Sequence, residues 1–419
     1  MRALLCLMLT AMVLPTVAGC GGTESAPSVS WNSPGEGGDV FGIARLKVRA
    51  SSSEGISAVK FYCDSVDNAH LIGTVANPTD SPYTQVWYTT TVQNGEHTLY
   101  AVAVDAKGRS SQASVSVNVG NRTRLQAIPA GAVKWTPQID YHPPDLSENF
   151  SKYWYDPEPL GLPINTAGAE DSPFITPDGN NFYFFFTPDM NIPVTQQILD
   201  RVTGIYWSQK IGGVWTEPQR VWLNYYDDPS MDGAETVLGN TMWFASVRSG
   251  VKREIDLYTA ELVNGIWSNW TNLGEPINVA YQVGELHLSA DGNQVYFHSE
   301  RPGGKGEMDI WVTSKVNGAW QQPENVAAVN TADGEGWPYL SEDGNELWFT
   351  RHTAANNIPM GIFRSVKVNG QWQTPERVLS SLAGEPTLDS AGNLYFVHHY
   401  YDDAAKKIWE ADIYVCRRK

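Results

Sequence analysis

Residues 28–119 contain short segments in which apolar and polar residues alternate. Examples are ARLKVRAS at 44–51 and HTLYAVAVD at 97–105, and Gly, Asn and Pro residues separate such segments at short intervals. Alternation with a period of two buries one side of a strand, and short strands at this spacing are typical of an antiparallel sandwich. The pattern therefore predicts a β-sandwich over residues 28–119.

From about residue 121 the pattern becomes a repeat of roughly 50 residues. A Gly-x-Trp element recurs at Trp215, Trp267, Trp320 and Trp372. An aromatic–Phe pair precedes each element and occurs a fifth time, at Phe184, Phe244, Phe297, Phe349 and Phe396. A repeat of this length made of strands and tight turns is typical of a propeller, in which each blade is a four-stranded sheet. We therefore predict an all-β protein with five propeller blades in residues 121–419.

Turns and chain ends refine this prediction. The segments PDGNNF, ADGNQV and EDGNEL carry the Asp-Gly pair that favours two-residue hairpins, here between the first and second strands of a blade. The fifth repeat ends at DIYVCRRK without a Gly-x-Trp strand, whereas GAVKWTPQ at 131–138 carries an isolated copy of it. We predict that an N-terminal strand around Trp135 closes the last blade, so that no sheet edge stays unpaired, and that residues 139–157 form a loop over one face.

Both regions resemble known families. The segment SPYTQVWYTTTVQNGEHTLYAVAVDAKGRSS resembles bacterial Ig-like modules, which implies a spacer or adhesive accessory. The repeats of residues 121–419 resemble TolB-type, WD-like propeller repeats. The second resemblance implies a fold and no particular activity, because such propellers host many functions.

The N-terminus predicts export and membrane attachment. Residues 1–19 have one basic residue, an apolar run and a small-residue finish, which is typical of a secretory signal. The sequence VAGC resembles the bacterial lipobox, which implies lipidation of Cys20, with residues 20–27 as a tether. We expect an extracytoplasmic lipoprotein that contacts the cell membrane or the outer membrane through its lipid anchor only. Apart from Cys6 in the predicted signal and Cys20, the sequence has two cysteines, Cys63 and Cys416. We predict that they are two separate thiols.

Composition and missing motifs exclude several functions. The net charge of −17 argues against nucleic acid or anionic lipid as a partner. The sequence has no G-x-S-x-G elbow, H-E-x-x-H helix or phosphate-binding glycine loop, so it lacks the signatures of serine hydrolases, zincins and nucleotide-dependent enzymes. A glycan or an envelope protein is the expected partner.

Carboxylates recur where the first strand of each predicted blade begins. They are Glu170 with Asp171, Glu235, Glu285, Glu335 and Glu385. Hairpin pairing predicts that basic or imidazole side chains lie opposite them at one mouth of the central channel, with Arg248 near Glu235. The other pairings predicted there are His298 near Glu285 with Arg301 just beyond, Arg351 and His352 near Glu335, and His398 and His399 near Glu385. His287, Trp337 and Asp171 also belong to this candidate site, because they have no counterparts in the other blades.

Four interpretations of this carboxylate ring stay open. It could be a structural network of carboxylate–arginine pairs. It could bind a divalent cation such as calcium, because facing carboxylates do not all ionise without one. A pair among Asp171, Glu235, Glu285 and Glu335 would suit a glycoside hydrolase. The mouth could also bind a ligand without transforming it.

Binding of an extracellular glycan or envelope protein is the leading prediction, and glycoside hydrolysis is the alternative. Carboxylates that each pair with an arginine would favour a scaffold. Two channel carboxylates about 5–10 Å apart, without arginine partners and open to solvent, would favour the enzyme.

Overall fold

The computed structural model describes residues 25–79, 81–353 and 359–419. Strands account for 51% of the chain and helices for 5%, which confirms the prediction of an all-β protein. The chain divides into two units. Among the described residues, one contains 25–38, Leu46–Gln85 and His97–Val117, and the other contains Asp39–Arg45, Val86–Glu96 and Asn118–Lys419. The boundaries at 28–119 and 121–419 stay predictions.

Two antiparallel sheets make up the N-terminal region. The first has the strand order β1 (Ser28–Ser33), β3 (Ile43–Ser51), β6 (Tyr83–Tyr88). The second has the order β2 (Gly38–Val40), β8 (Ser110–Val119), β7 (Gly95–Asp105), β4 (Ile56–Cys63), β5 (Leu71–Ala76). Burial alternates along β7, where Leu99, Ala101 and Ala103 are buried, as the sequence pattern predicts. The Trp31 and Phe61 rings, one from each sheet, meet edge to face at 6.0 Å.

Five further antiparallel sheets follow in chain order, here called repeat sheets 1 to 5. Repeat sheet 1 contains β10 (Ala169–Ile175), β11 (Asn181–Thr187), β12 (Gly204–Ile211), β13 (Val214–Trp215) and β14 (Gln219–Arg220). Repeat sheet 2 contains β15 (Met231–Leu238), β16 (Thr241–Val247), β17 (Asp256–Val263) and β18 (Ile266–Asn272). Repeat sheet 3 contains β19 (Val283–Leu288), β20 (Gln294–Ser299), β21 (Asp309–Val316), β22 (Ala319–Trp320) and β23 (Glu324–Asn325).

The last two sheets repeat this order. Repeat sheet 4 contains β24 (Gly334–Leu340), β25 (Glu346–His352), β26 (Pro359–Val368), β27 (Gln371–Trp372) and β28 (Glu376–Arg377). Repeat sheet 5 contains β29 (Ala383–Leu388), β30 (Leu394–Asp402), β31 (Lys407–Cys416) and, from an earlier part of the chain, β9 (Glu158–Pro159). Short helices are α1 (Arg124–Ala127), α2 (Glu148–Ser151) and α3 (Val194–Gln197), and 3-10 turns cover Asn68–His70 and Thr89–Thr91. No helix in the described ranges is long and apolar enough to cross a membrane.

The prediction of a closing strand around Trp135 is wrong in its position. The fourth strand of repeat sheet 5 is Glu158–Pro159, which pairs with Tyr414 and Val415. Trp135 lies outside any strand: its backbone N–H donates to Glu410 at 2.8 Å, and its ring packs on Tyr400 at 6.0 Å. The GAVKWTPQ element is thus held by side-chain contacts. Strand pairing depends on backbone groups, and the Gly-x-Trp pattern does not identify which backbone groups pair.

The segment 139–157 is also more than a loop. It contains α2, and its residues Leu146, Phe150 and Trp154 are buried in one cluster with Trp348 and Phe396. It therefore belongs to the core between repeat sheets 4 and 5.

The Asp-Gly hairpins have four-residue loops rather than the predicted two. The Thr176 N–H donates to the Asn181 carbonyl at 2.9 Å, so residues 177–180 form the loop. Asp178 accepts bonds from the Thr176 hydroxyl at 2.5 Å and the Asn180 N–H at 3.1 Å. Such a side chain replaces backbone partners in a turn, which permits the longer loop. The same contacts recur around Asp291 and Asp343.

Apolar clusters join successive repeat sheets. Five pairs each share one cluster, and the last pair joins sheets 1 and 5: Phe174 with Phe244, Trp243 with Phe297, Tyr296 with Phe349, Trp348 with Phe396, and Phe182 with Tyr395. The phenylalanines of the aromatic–Phe pairs are therefore core residues. Cys63 and Cys416 are buried free thiols, as predicted.

Candidate functional site

A β-bulge interrupts the first strand of every repeat sheet. The register with the second strand shifts between Asp171 and Phe174, Gly233 and Thr236, Gly284 and Leu286, Gly336 and Tyr339, and Gly384 and Thr387. Four bulge residues other than glycine have left-handed backbones: Ser172 (φ 46°), Ala234 (φ 54°), Trp337 (φ 51°) and Glu385 (φ 57°). Each such residue costs about 1–3 kcal/mol and is typically retained at functional sites. Because bulges redirect side chains, they decide which residues face the space between the sheets.

Asp171 breaks the pattern at the position before the bulge. The other four sheets have glycine there: Gly233, Gly284, Gly336 and Gly384. A Cβ atom at Gly284 would lie 2.3 Å from His298 Nε2, and one at Gly336 would lie 2.8 Å from His298 Nδ1. A neighbouring side chain therefore fills the space where repeat sheet 1 carries a carboxylate.

One set of buried acids, the clamped carboxylates, consists of Glu170, Asp232 and Glu335. Each accepts a bond from one arginine: Arg124 at 3.2 Å, Arg248 at 2.6 Å and Arg351 at 2.7 Å respectively. Each also accepts a hydroxyl hydrogen bond at 2.6 Å, from Thr166, Ser246 and Thr331. The guanidinium groups stack on aromatic rings of the second and third strands, as Arg351 does on Phe363 at 4.4 Å. This arrangement repeats and is structural.

A second set, the unclamped carboxylates, consists of Asp171, Glu235, Glu285 and Glu385. Within the described ranges, none of these four forms an ion pair with arginine or lysine. The Ser172 hydroxyl donates to Glu285 at 3.3 Å, and the Ser172 N–H donates to Asp171 at 2.9 Å. Both carboxylate oxygens of Glu235 and one of Glu385 are buried without a hydrogen-bond partner.

Burial dominates the electrostatics of the unclamped carboxylates. Burial raises the pKa of Glu285 to about 8, the charge of Asp171 adds to the rise, and bonds from Trp337 and Ser172 oppose it. Burial also raises the pKa of Glu235 and of Glu385 well above the usual range, and the charges of Asp171 and Glu285 contribute to both rises. The raised pKa values of Glu235, Glu285 and Glu385 hold these acids protonated near neutral pH.

The unclamped carboxylates line two spaces of different width, and a third space lies beside the narrower one and shares Phe174, His287 and Tyr339 with it. A narrow space of about 30 Å³ is lined by Ser172, Glu235, Glu285, Trp337 and Glu385, among others. A wider cavity of about 210 Å³ is lined by Asp171, Ser172, Glu285 and apolar side chains such as Phe185 and Ile255. A third space of about 150 Å³ is lined by His287, Phe174 and Tyr339.

The predicted histidines are divided among different environments. His298 and His352 pack against the Trp337 ring with centroids 5.0 and 4.6 Å apart, and burial lowers their pKa values to about 3 and about 4. Burial lowers the pKa of His287 to about 4, and its Nδ1 accepts the Leu340 N–H at 3.2 Å. These imidazoles are neutral.

His398 and His399 are neighbours in sequence but have different partners. His398 Nε2 lies 2.8 Å from Asp140, and both side chains are fully buried. His399 lies beside Asp171 and Glu385: one ligand atom from each of the three residues lies within 4.8 Å of the others. Burial lowers the pKa of His399, against the charge of Asp171.

Three of the expected pairings are wrong. Arg248 binds Asp232 rather than Glu235, His298 pairs with Gly284 rather than Glu285, and His398 pairs with Ala383 rather than Glu385. The predicted approach of His399 to Glu385 is confirmed. Arg301 binds no carboxylate; it donates to the carbonyls of Pro276 and Ile277. The bulges are the reason, since they change the register by which the pairings were counted. The Glu335–Arg351 pairing is confirmed.

Sequence reasoning missed Ser172 and the bulges themselves. Pro173, Pro338 and Pro386 lie inside first strands. Proline cannot donate to a strand ladder and is confined to edges, strand starts or bulges, so these prolines were the available signal.

Comparisons with known proteins add a family for the N-terminal region. Residues 27–101 match the family described as bacterial Ig domain, so the chain has an Ig-like N-terminal domain. No curated protein matches the chain.

Several solved structures are similar over part of the chain. The fibronectin(III)-like modules of Clostridium thermocellum CbhA have 25% identity and a TM-score of 0.19, covering 22% of this chain and 94% of theirs. An alpha-L-arabinofuranosidase from Lactobacillus brevis has 12% identity and a TM-score of 0.39, over 61% and 92%. An endo-arabinase from Bacteroides thetaiotaomicron has 14% identity and a TM-score of 0.40, over 62% and 97%. These TM-scores are too low to support an argument about function.

Proposed function

We propose that the repeat sheets form a closed five-bladed propeller of the TolB-type, WD-like kind and that its channel carries the acid–base site of a glycoside hydrolase. Two observations support the closed ring. An apolar cluster joins every pair of successive sheets as well as sheets 1 and 5, and β10 packs directly against β29. Closure would cover the sheet faces that the first and last blades would otherwise expose.

The contrast between the two carboxylate sets carries the functional proposal. A scaffold needs its buried acids paired, and Glu170, Asp232 and Glu335 are paired with arginine. The unclamped carboxylates lie in the same strands or within the bulges and form no ion pair with lysine or arginine in the described part of the chain. Glu235 is buried and the other three are half-buried rather than open to solvent, so the missing ion pairs carry the case for an enzyme. Burying acids without such partners is costly and favours a site where protons are exchanged.

Glu285 and Asp171 suit the two roles that glycoside hydrolysis requires. Glu285 keeps its proton near neutral pH, as a general acid must. Asp171 accepts a hydrogen bond from the Ser172 N–H at 2.9 Å, which holds its carboxylate in position to act as base or nucleophile. Both line the cavity of about 210 Å³, where apolar walls would exclude water from the leaving group.

A second candidate is binding of a glycan or envelope protein without hydrolysis. The cavity of about 210 Å³ is smaller than the roughly 300–1,000 Å³ of most small-molecule sites. It would hold only one residue at the end of a glycan or a single side chain of a protein partner. Under either function we place the protein outside the cytoplasm, anchored through Cys20, which lies outside the described residues.

Reducing-end release from a panel of polysaccharides tests the proposal. We expect release by the whole chain and its loss in Glu285→Gln. Glu376→Gln, which changes an exposed glutamate on β28, is the matched control and should retain activity. Absence of release from every polysaccharide, with the protein folded, would leave the binding candidate in its place; glycan arrays would then identify the ligand.

A further inference from the structure

Asp171, Glu385 and His399 come from three different strands and meet at one point. Two carboxylate oxygens and one imidazole nitrogen all lie within 4.8 Å of one another. Ligands about 2.0–2.2 Å from a single zinc-type ion lie at most about 4.4 Å apart. Small side-chain rotations would therefore bring all three atoms onto one ion.

The imidazole of His399 is oriented as metal-bound histidines are. Its Nδ1 lies 3.4 Å from the Leu382 carbonyl oxygen, and the His399 backbone N–H donates to the same oxygen at 2.9 Å. A carbonyl only accepts, so Nδ1 carries the hydrogen and Nε2 carries the free lone pair. A backbone carbonyl commonly fixes the tautomer of a metal-binding histidine in this way.

The bulge in repeat sheet 5 fixes Glu385. Its backbone is left-handed, and its N–H donates to the Thr350 hydroxyl at 2.7 Å. One of its carboxylate oxygens is buried without a partner. The conformation is costly and holds an unsatisfied acceptor beside Asp171 and His399.

An independent observation indicates that acceptor oxygens beside this point lack partners. Glu235 is 5% exposed, and both of its oxygens are buried without a partner. It lines the same narrow space as Glu385 and Glu285. A cation at this point would give these oxygens a partner; Arg220 acts on Glu235 only through its charge and forms no ion pair with it within the described ranges.

We propose that Asp171, Glu385 and His399 bind one divalent transition-metal ion, of which Zn²⁺ is the representative. The imidazole revises the expected cation, because calcium takes oxygen ligands whereas zinc accepts nitrogen and oxygen together. Binding displaces the proton of Glu385 and occupies Asp171. The inference extends the proposed function: the loaded protein would be inactive as a glycoside hydrolase because its base is coordinated.

Calorimetric titration of the chelator-treated whole chain with Zn²⁺, Mn²⁺ and Ca²⁺ tests this site. The N-terminal unit also brings ligand atoms of Cys63, Asp64 and His97 together, so a Cys63→Ser background removes that second cluster. We expect one equivalent of Zn²⁺ with proton release to the buffer, and weaker binding of Ca²⁺. His399→Gln should weaken zinc binding on the order of 10-fold or more. His142→Gln, which changes an exposed histidine, is the matched control and should bind as the parent does.

The outcomes separate the metal site from the hydrolase. No zinc binding, or binding unchanged by both His399→Gln and Glu385→Gln, would overturn the site. Zinc binding lost in both variants supports it even where no polysaccharide is cleaved, in which case the proposed hydrolase fails by itself. Hydrolysis that zinc does not inhibit would overturn the coordination of Asp171.

Discussion

Glu170 and Asp171 are adjacent in β10, yet they belong to opposite kinds of environment. Glu170 is held by Arg124, Thr166 and the backbone, and its partners repeat around Asp232 and Glu335. Asp171 faces Glu385, Glu285 and His399, and four of the five repeat sheets have glycine at its position. The comparison shows that the acid found at a repeated position has an arginine and hydroxyl partners and serves the fold. The acid that breaks the repeat lies instead beside other carboxylates.

The largest expected effect is the loss of activity on substitution of an unclamped carboxylate. Glu285→Gln should reduce glycan hydrolysis about 10²–10⁴-fold, because the amide cannot donate an acid's proton. Wild-type activity should fall as the pH rises through about 8, where Glu285 loses its proton. Initial rates from pH 5 to 10 measure both effects. A variant as active as the wild type would remove Glu285 from the mechanism.

Substitutions at the clamped carboxylates should lower the free energy of unfolding rather than the activity. Arg351→Met leaves Glu335 buried without its cation, which costs about 3–5 kcal/mol of unfolding free energy. Urea denaturation measures this loss, and the double variant Arg351→Met/Glu335→Gln should recover part of it. Equal stability of the single variant and wild type would abolish the distinction between the two sets.

Glu235 tests whether the unclamped set destabilises the fold. Its folded-state pKa lies well above the usual 4.5, so its contribution to stability is fully present below about pH 4.5. That contribution is lost as the pH rises through the folded-state pKa. Glu235→Gln should therefore be more stable than wild type by about 1–3 kcal/mol at pH 9, with a smaller difference at pH 5. Denaturation midpoints at both pH values check this; a gain that is larger at pH 5 would contradict it.

Ser172→Ala should have the smallest effect. The hydroxyl lies 3.3 Å from Glu285 and lowers its pKa, so its removal should raise that pKa further. A hydrogen bond of about 0.5–1.5 kcal/mol corresponds to a shift of up to about one pH unit. The alkaline limb of the pH–rate profile should move upward with little change in stability. A downward shift would show that Ser172 acts on another group.

Local pattern alone predicted the strands and the order of the chain. Alternation identified β7 and β8, the aromatic–Phe pairs identified the second strands of the repeat sheets, and the Asp-Gly segments identified their hairpins. These features depend on residues close together in sequence, where side-chain period and turn chemistry decide the structure. The Glu335–Arg351 pair was predictable for the same reason, since it lies within one hairpin.

Tertiary structure decided which carboxylates meet. The bulges shift the pairing register of the first strands, and counting residues with a period of two does not predict such a shift. As a result, Arg248 binds Asp232, and Glu235 forms no ion pair. The closing strand at Glu158–Pro159 and the meeting of Asp171 with Glu385 and His399 join residues more than 200 positions apart. Contacts at that separation depend on how whole sheets pack, which the sequence pattern of one repeat does not determine.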